Sequence, residues 1–145
     1  MRIDLEIPGI PIAQPRVKAT AFGSHARVYT PNKNGVLEYK ATIRMVAKEA
    51  FTCELLNGPV RVNCEFVFPR PADHYGTGRN AGAIKASAPI YHTSLRDRDN
   101  LDKAVLDALS GVVLSNDKCV CDGRITKRYV MTGEQPHTKI TIRTL

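Results

Sequence analysis

Alternation of apolar and polar residues marks the strands of this chain. The clearest case is 60–68, where apolar side chains fall at every second position from Val60 to Phe68. Weaker alternation predicts a first strand at 2–7, and Ile140 and Ile142 place a final strand at 137–144. Residues 119–130 also have the composition of a strand. We therefore expect four strands in one sheet.

A different period, apolar residues three or four positions apart, predicts two helices. The first covers about 33–54 and the second about 100–111, which stops near Gly111. In the first helix we expect basic residues to share the face opposite the apolar one. These basic residues are Lys33, Lys40, Arg44 and Lys48. Such a stripe indicates either a solvated surface or a DNA-facing one.

The remaining segments carry proline, glycine and small polar residues. Three prolines between 8 and 15 exclude a helix, and we expect an extended segment that continues to Tyr29, with a turn at 30–32. Residues 70–95 form a long loop that we expect to be mobile. Its composition suits a flap over a phosphate backbone and, nearly as well, a plain surface loop. The order is then β-α-β-α-β-β, which predicts one α+β domain over residues 1–145. A small mixed sheet carries two helices.

The charge distribution points to a polyanionic partner. The chain has 145 residues, 21 Lys and Arg against 14 Asp and Glu, and a net charge of +7. Such an excess is typical of proteins that bind nucleic acid. Seven of the 14 acidic residues nevertheless fall in 97–145. A basic body around a concentrated group of carboxylates is what a metal-dependent nuclease requires.

Composition also indicates the cellular compartment in which we expect the protein to act. No apolar run approaches the ~20 residues that a membrane-spanning helix needs. The first residues alternate in charge and lack the apolar core of a signal peptide, so we expect a cytoplasmic protein without membrane association. The four cysteines lack the paired spacing of a zinc site, and disulfides are not expected in that compartment.

The candidate chemistry lies in the acidic stretch that opens the second helix. Asp97 and Asp99 are two residues apart, so an extended backbone projects both carboxylates to the same side. Asp99 occupies the expected N-cap position, with Asp102 at N3. Lys103 follows Asp99 by four residues and shares its helical face. One small volume would then hold two carboxylates and an ammonium group.

A third carboxylate, Asp117, stands in a polar turn after the helix. If the following strand lies beside the helix start, Asp117 joins Asp97 and Asp99, and three carboxylates at close range require a cation. Oxygen ligands suit Mg²⁺ or Mn²⁺. The spacing alone leaves a second interpretation open, in which Asp99 is only a cap and Asp117 only a turn residue.

The run from Asp97 to Leu109 resembles the signature of RusA-type Holliday junction resolvases. That signature is Asp-x-Asp-Asn-Leu-x-Lys, a short spacer and Asp-Ala-Leu, followed by an acidic turn and a strand. The turn appears here as Asn116-Asp117 before Lys118 and Cys119. The match is strongest over 92–128. Two earlier runs also resemble phage-type members, namely Gln14-Pro15-Arg16 and Tyr29-Thr30-Pro31.

The resemblance implies a role for each matching residue. Asp97, Asp99 and Asp117 would be the catalytic carboxylates that bind metal, and Lys103 an active-site base or electrostatic helper. Arg96 matches a position that contacts phosphate. We expect further DNA contacts from other basic residues, namely Arg16, Lys18, Arg98, Lys118 and Lys127. Many relatives have two acids in the turn, whereas this chain has Asn116 before Asp117.

The resemblance also implies the activity. It predicts an Mg²⁺-dependent endodeoxyribonuclease, with Mn²⁺ as a substitute, that resolves Holliday junctions by paired cuts in DNA recombination and repair. Two cuts in a junction with pseudo-two-fold symmetry indicate a homodimer. Two alternatives stay open: a non-catalytic nucleic-acid-binding module, hinted at by Asn116, and a metal nuclease that acts on flaps or forks. Asp107 has two interpretations, an ion pair with Lys103 within the helix or a catalytic role.

Overall fold

Five strands form one mixed sheet in the computed structural model, which describes residues 1–29 and 31–145 and all their side chains except that of Phe22. Strands β1 (Arg2–Pro8) and β4 (Val60–Phe68) both pair antiparallel with β7 (His137–Thr144). On its other edge β4 pairs in parallel with β5 (Val120–Asp122) and β6 (Ile125–Tyr129). The predicted α+β class is therefore confirmed.

Two helices cover one face of this sheet. Helix α1 (Val36–Ala50) packs on β1, helix α2 (Arg98–Leu109) packs on β6, and the helices contact each other. The strands bury alternate residues against them, as the period of two requires. Phe66, Leu101 and Ile140 are fully buried in this core. Among the described residues, neither helix has the length and apolarity to cross a membrane.

Helix α1 is shorter than the predicted span of 33–54. Asn34 and Gly35 have φ angles of 56° and 80°, which no right-handed helix accepts, so the helix begins at Val36. At the other end Phe51 is extended. The predicted turn at 30–32 lies in part outside the described residues, because these do not include Thr30.

One member of the expected basic stripe is misplaced. Lys40 is buried, with 8% of its surface exposed, whereas Lys33 and Lys48 are exposed and Arg44 is half-buried. Lys40 lies four residues after Val36 and three before Ile43, both fully buried, so it belongs to the inner face of α1. The expectation that Lys40 is a surface residue was wrong.

Two strand predictions need refinement. The extended segment up to Tyr29 forms a separate antiparallel hairpin of β2 (Lys18–Phe22) and β3 (His25–Tyr29). The predicted strand at 119–130 is divided into a short 3-10 helix, Asp117–Cys119, and the strands β5 and β6. Gly123 lies between those strands, where a Cβ atom would stand 2.0 Å from the carbonyl oxygen of Val62.

Residues 70–95 contain two short 3-10 helices, Ala72–His74 and Gly78–Asn80. Arg70 ties this segment to the sheet, because its guanidinium donates to the carbonyl oxygens of Val130 at 2.8 Å and Pro89 at 2.6 Å. The guanidinium also lies over the Tyr129 ring, 5.3 Å from its centroid. That the segment moves as a flap over DNA stays a prediction.

Arg128 on β6 makes the fold sensitive to acid. Its guanidinium binds Glu134 at 2.6 Å and 2.8 Å and Glu65 at 3.0 Å. The hydrogen bond from Arg128 lowers the pKa of Glu134 from 4.5 to about 2, and the N–H of Met131 adds to this effect. A carboxylate with a lowered pKa stabilises the fold above its ordinary pKa and loses that contribution as the pH falls through the lowered value.

We expect Glu134→Gln to reduce the free energy of unfolding by about 1 kcal/mol at pH 7, since a partly exposed pair is screened by solvent. The difference in the free energy of unfolding between wild type and variant should shrink as the pH is lowered from 4.5 to about 2, because Glu134 itself becomes protonated in this range. Urea unfolding at pH 7 and at successive lower pH values measures both effects. A difference that stays constant over this range would contradict the assignment.

Candidate active site

The amino-terminal end of α2 presents the first two predicted carboxylates. Asp97 is the N-cap residue, with extended backbone angles, and its carbonyl oxygen accepts the N–H of Leu101 at 3.1 Å. Asp99 lies inside the first turn, so its expected N-cap position and the extended Asp97–Asp99 stretch were both wrong. Both side chains are exposed. Neither makes a hydrogen bond or ion pair to the part of the chain that the structure describes.

Asp117 comes from the second stretch, through the 3-10 helix that packs against α2. The side chain of Asn116 caps that short helix, because its Oδ1 accepts the N–H of Lys118 at 3.0 Å. The backbone before it is anchored as well, since the N–H of Ser115 donates to the carbonyl oxygen of Leu56 at 3.0 Å. Asn116 thus holds the turn that presents Asp117.

Lys103 connects the two stretches. Its Nζ lies 3.0 Å from Asp107 Oδ1 and 3.9 Å from Asp117 Oδ2. The hydrogen bond and charge of Asp107 raise the pKa of Lys103, and the charge of Asp117 adds to the effect. Lys103 is therefore an ammonium ion at neutral pH, which suits charge stabilisation better than proton abstraction.

Asp107 also contacts a second lysine, Lys40 of α1. The Nζ of buried Lys40 lies 3.5 Å from Asp107 Oδ2. Burial acts to raise the pKa of Asp107, but the hydrogen bond from Lys103, the side chain of Gln14 and the charges of both lysines outweigh it, so the pKa is lowered. The ion pair with Lys103 within the helix is present, and the contact with Lys40 was not foreseen.

Gln14 joins this group from the segment after β1. Its backbone N–H donates to the carbonyl oxygen of Asn100 at 2.9 Å, which fastens the segment to the first turn of α2. The side chain is buried, and its Oε1 has no hydrogen-bond partner among residues 1–29 and 31–145. Gln14 and Lys40 are thus two residues near Asp107 for which the sequence predicted no role at the site.

The carboxylates suit a hard divalent cation by their chemistry, because all are oxygen donors. Asp99 shares the exposed face of α2 with Lys103, which in turn approaches Asp117. The described residues contain no group of three or more His, Cys, Asp or Glu side chains arranged to hold a metal ion. Asp117 has the Lys103 ammonium as its counter-charge, and the convergence of Asp97, Asp99 and Asp117 stays a prediction.

Most of the basic residues predicted to bind DNA are accessible. Four of the residues predicted to bind DNA are exposed, namely Arg16, Lys18, Arg98 and Lys118. Arg96 is half-buried directly before Asp97. Lys127 has a structural contact, because its Nζ donates to the carbonyl oxygen of Arg96 at 2.5 Å. Lys127 therefore steadies the backbone from which Asp97 projects.

The two remaining acids of this region, Asp102 and Asp122, form no ion pair with Lys103. Asp122 forms an exposed ion pair with Arg61 at 2.6 Å. Asp102 is half-buried and lines a depression of ≈ 380 Å³ together with Val62 and Gly123. Burial raises the pKa of Asp102, opposed by the charge of Arg98. Asp102 does not take the N3 capping position expected for it, because the helix begins two residues earlier.

Two comparisons with known proteins cover nearly the whole chain. The family model described as endodeoxyribonuclease RusA matches residues 8–143. A curated relative, the uncharacterized protein YqaN of Bacillus subtilis (strain 168), is 24% identical over 141 residues. That similarity covers 97% of this chain and 95% of the relative. The family match spans both α2 and the turn that carries Asp117.

Proposed function

This chain belongs to the RusA family of endodeoxyribonucleases, and on that basis we propose that it resolves Holliday junctions by paired phosphodiester hydrolysis. The proposal places the reaction on the exposed face of α2 and assigns it to DNA recombination and repair. The observation that carries it is the approach of Lys103 on α2 to Asp117 on the later turn, at 3.9 Å. That approach joins the two stretches of the motif in one protomer.

Asp97, Asp99 and Asp117 would hold Mg²⁺, or Mn²⁺ in its place. When bound, such a cation neutralises phosphodiester charge and lowers the pKa of a water nucleophile. Lys103 contributes a fixed positive charge beside Asp117, where it stabilises the additional negative charge of the transition state. Its raised pKa favours this electrostatic role over that of a base.

The basic residues around α2 would bind the DNA backbone. Arg96 and Arg98 flank Asp97, Lys118 follows Asp117, and Arg16 and Lys18 lead into the β2–β3 hairpin. Contacts of this kind release counterions and make affinity strongly dependent on salt. Preference for a junction over linear duplex would then be recognition of shape.

We expect Arg96→Ala to weaken four-way junction binding several-fold and to reduce the slope of log K against log salt by about 1. The matched control is Lys139→Ala, because Lys139 is exposed on β7 and alternates with core residues, so it faces away from the helices. Fluorescence anisotropy with a labelled junction at several salt concentrations gives both quantities. Equal slopes for the two variants would contradict a phosphate contact by Arg96.

A homodimer would supply the second cut. Each protomer carries one group of the motif residues, whereas resolution requires one cut in each of two opposed strands. A two-fold dimer places two identical sites on a substrate with the same pseudo-symmetry. We therefore propose that the active form is a dimer with one site in each subunit.

Substrate comparison tests the proposed function. Cleavage of a synthetic four-way junction, a flap and a linear duplex is measured with and without Mg²⁺. The proposal predicts Mg²⁺-dependent, paired cuts and a strong preference for the junction. Faster cutting of flaps or forks would favour the alternative nuclease, and binding without any cutting would favour a non-catalytic module. The capping role of Asn116 weighs against the latter, since it gives that residue a structural function.

A further inference from the structure

Four side chains of alternating charge form a row from the core to the surface of the site. Lys40 on α1 contacts Asp107 on α2 at 3.5 Å, Asp107 contacts Lys103 at 3.0 Å, and Lys103 approaches Asp117 at 3.9 Å. The exposed fraction of the side chain rises from 10% for Lys40 to 29% for Asp107 and about half for the outer two. The inner end of the row is therefore fixed and the outer end is accessible.

Lys103 is shared unequally between its two carboxylates. Its ammonium is within hydrogen-bond distance of Asp107 but not of Asp117. Coulomb attraction falls with distance, and a hydrogen bond to a charged group adds directional strength at the shorter contact. Asp107 thus holds Lys103, and Asp117 retains a looser contact that a divalent cation can replace.

We infer that Asp107 is a positioning residue that keeps Lys103 from competing with the divalent cation for Asp117, and that Lys40 stabilises Asp107 in this task. The inference rests on the proposed function, because it takes Asp117 as a metal ligand. Lys103 then serves as the counter-charge of Asp117 before the metal binds. Afterwards it stays beside the site through its bond to Asp107.

This inference predicts opposite effects of two neutralising substitutions. In Lys103→Met the competing ammonium is absent, so the affinity for Mn²⁺ should rise about threefold to fivefold, the range of an exposed ion pair. In Asp107→Asn, Lys103 loses its nearer carboxylate and pairs more closely with Asp117. The affinity should therefore fall by a similar factor.

The double variant separates positioning from simple charge loss. If Asp107 acts through Lys103, then Asp107→Asn has no target in a Lys103→Met background, and the double variant should bind Mn²⁺ within about twofold of Lys103→Met alone. If Asp107 acts only as a remote negative charge, Asp107→Asn should lower the affinity for Mn²⁺ by the same factor in wild type and in Lys103→Met. That second result would overturn the inference.

Calorimetric titration of the full chain with Mn²⁺ in the absence of DNA measures these affinities. Asp122→Asn is the matched control, because it removes one exposed acidic charge from the same part of the chain, and its affinity should equal that of wild type. Asp107→Asn leaves Lys40 buried without its carboxylate, which can unfold a protein. The double variant Lys40→Met/Asp107→Asn removes both charges, and its affinity for Mn²⁺ should fall by the same factor as that of Asp107→Asn.

The outcomes distinguish this inference from the proposed function. Saturable Mn²⁺ binding by wild type together with unchanged affinity in Asp107→Asn and in Lys40→Met/Asp107→Asn overturns the positioning role alone. Absence of saturable binding by wild type removes the metal site on which both depend. Opposite shifts for the two single variants, with the double variant matching Lys103→Met, support the inference.

Discussion

Asp117→Asn should lower the rate of four-way junction cleavage by on the order of 10³-fold, about 4 kcal/mol of transition-state stabilisation. The substitution keeps the size of the side chain but removes the charge that a divalent cation needs. Asp97→Asn and Asp99→Asn should have effects of the same order. Junction affinity without metal should change little, since the basic residues supply it.

Single-turnover cleavage with excess enzyme measures this loss without a contribution from product release. Asp122→Asn is again the control, because the Asp122 carboxylate pairs with Arg61 and forms no ion pair with Lys103. Its cleavage rate should stay within about twofold of wild type. Cutting by Asp117→Asn at the wild-type rate would refute the role assigned to this carboxylate.

Gly123→Ala should reduce the free energy of unfolding by about 3 kcal/mol, the upper part of the usual range for overpacking. An added Cβ would stand 2.0 Å from the Val62 carbonyl oxygen, which is backbone and cannot rotate away. The strands β5 and β6 must then separate from β4, which also displaces the turn that presents Asp117. Loss of stability and loss of cleavage should therefore occur together.

Gly58→Ala is the matched control for Gly123→Ala. A Cβ at Gly58 would meet nothing within 4 Å, and its φ angle is not in the left-handed region. Its free energy of unfolding should stay within about 0.5 kcal/mol of wild type. Chemical denaturation of both variants measures the difference. Equal stability of the two variants would contradict the close approach of β5–β6 to β4.

Alternation was a sufficient guide to the core strands. The strand at 60–68 is confirmed at both ends, because its buried positions face a continuous apolar layer and prolines bound it. Alternation did not predict the β2–β3 hairpin, because its described side chains, all but that of Phe22, are exposed and show no core-facing period. Its signal was the Gly23-Ser24 pair, which is typical of a two-residue hairpin loop.

Local sequence was a weaker guide to the site. The motif indicated Asp97, Asp99 and Lys103, but the helix start was misplaced by two residues, because Asp97 and Asp99 are both good N-cap residues. The spacing of Lys40 between buried residues of α1 was available in the sequence. Its contact with Asp107 depends on how α1 and α2 pack, which no local pattern specifies.

The central claim is that Asp97, Asp99 and Asp117 share one divalent cation beside Lys103. Anomalous diffraction from a crystal of the protein grown with Mn²⁺ tests it most directly. We expect one strong Mn²⁺ peak within coordination distance of all three carboxylates, with the Lys103 ammonium still hydrogen-bonded to Asp107. A peak bound elsewhere, in a protein that cuts junctions in the same buffer, would contradict the account.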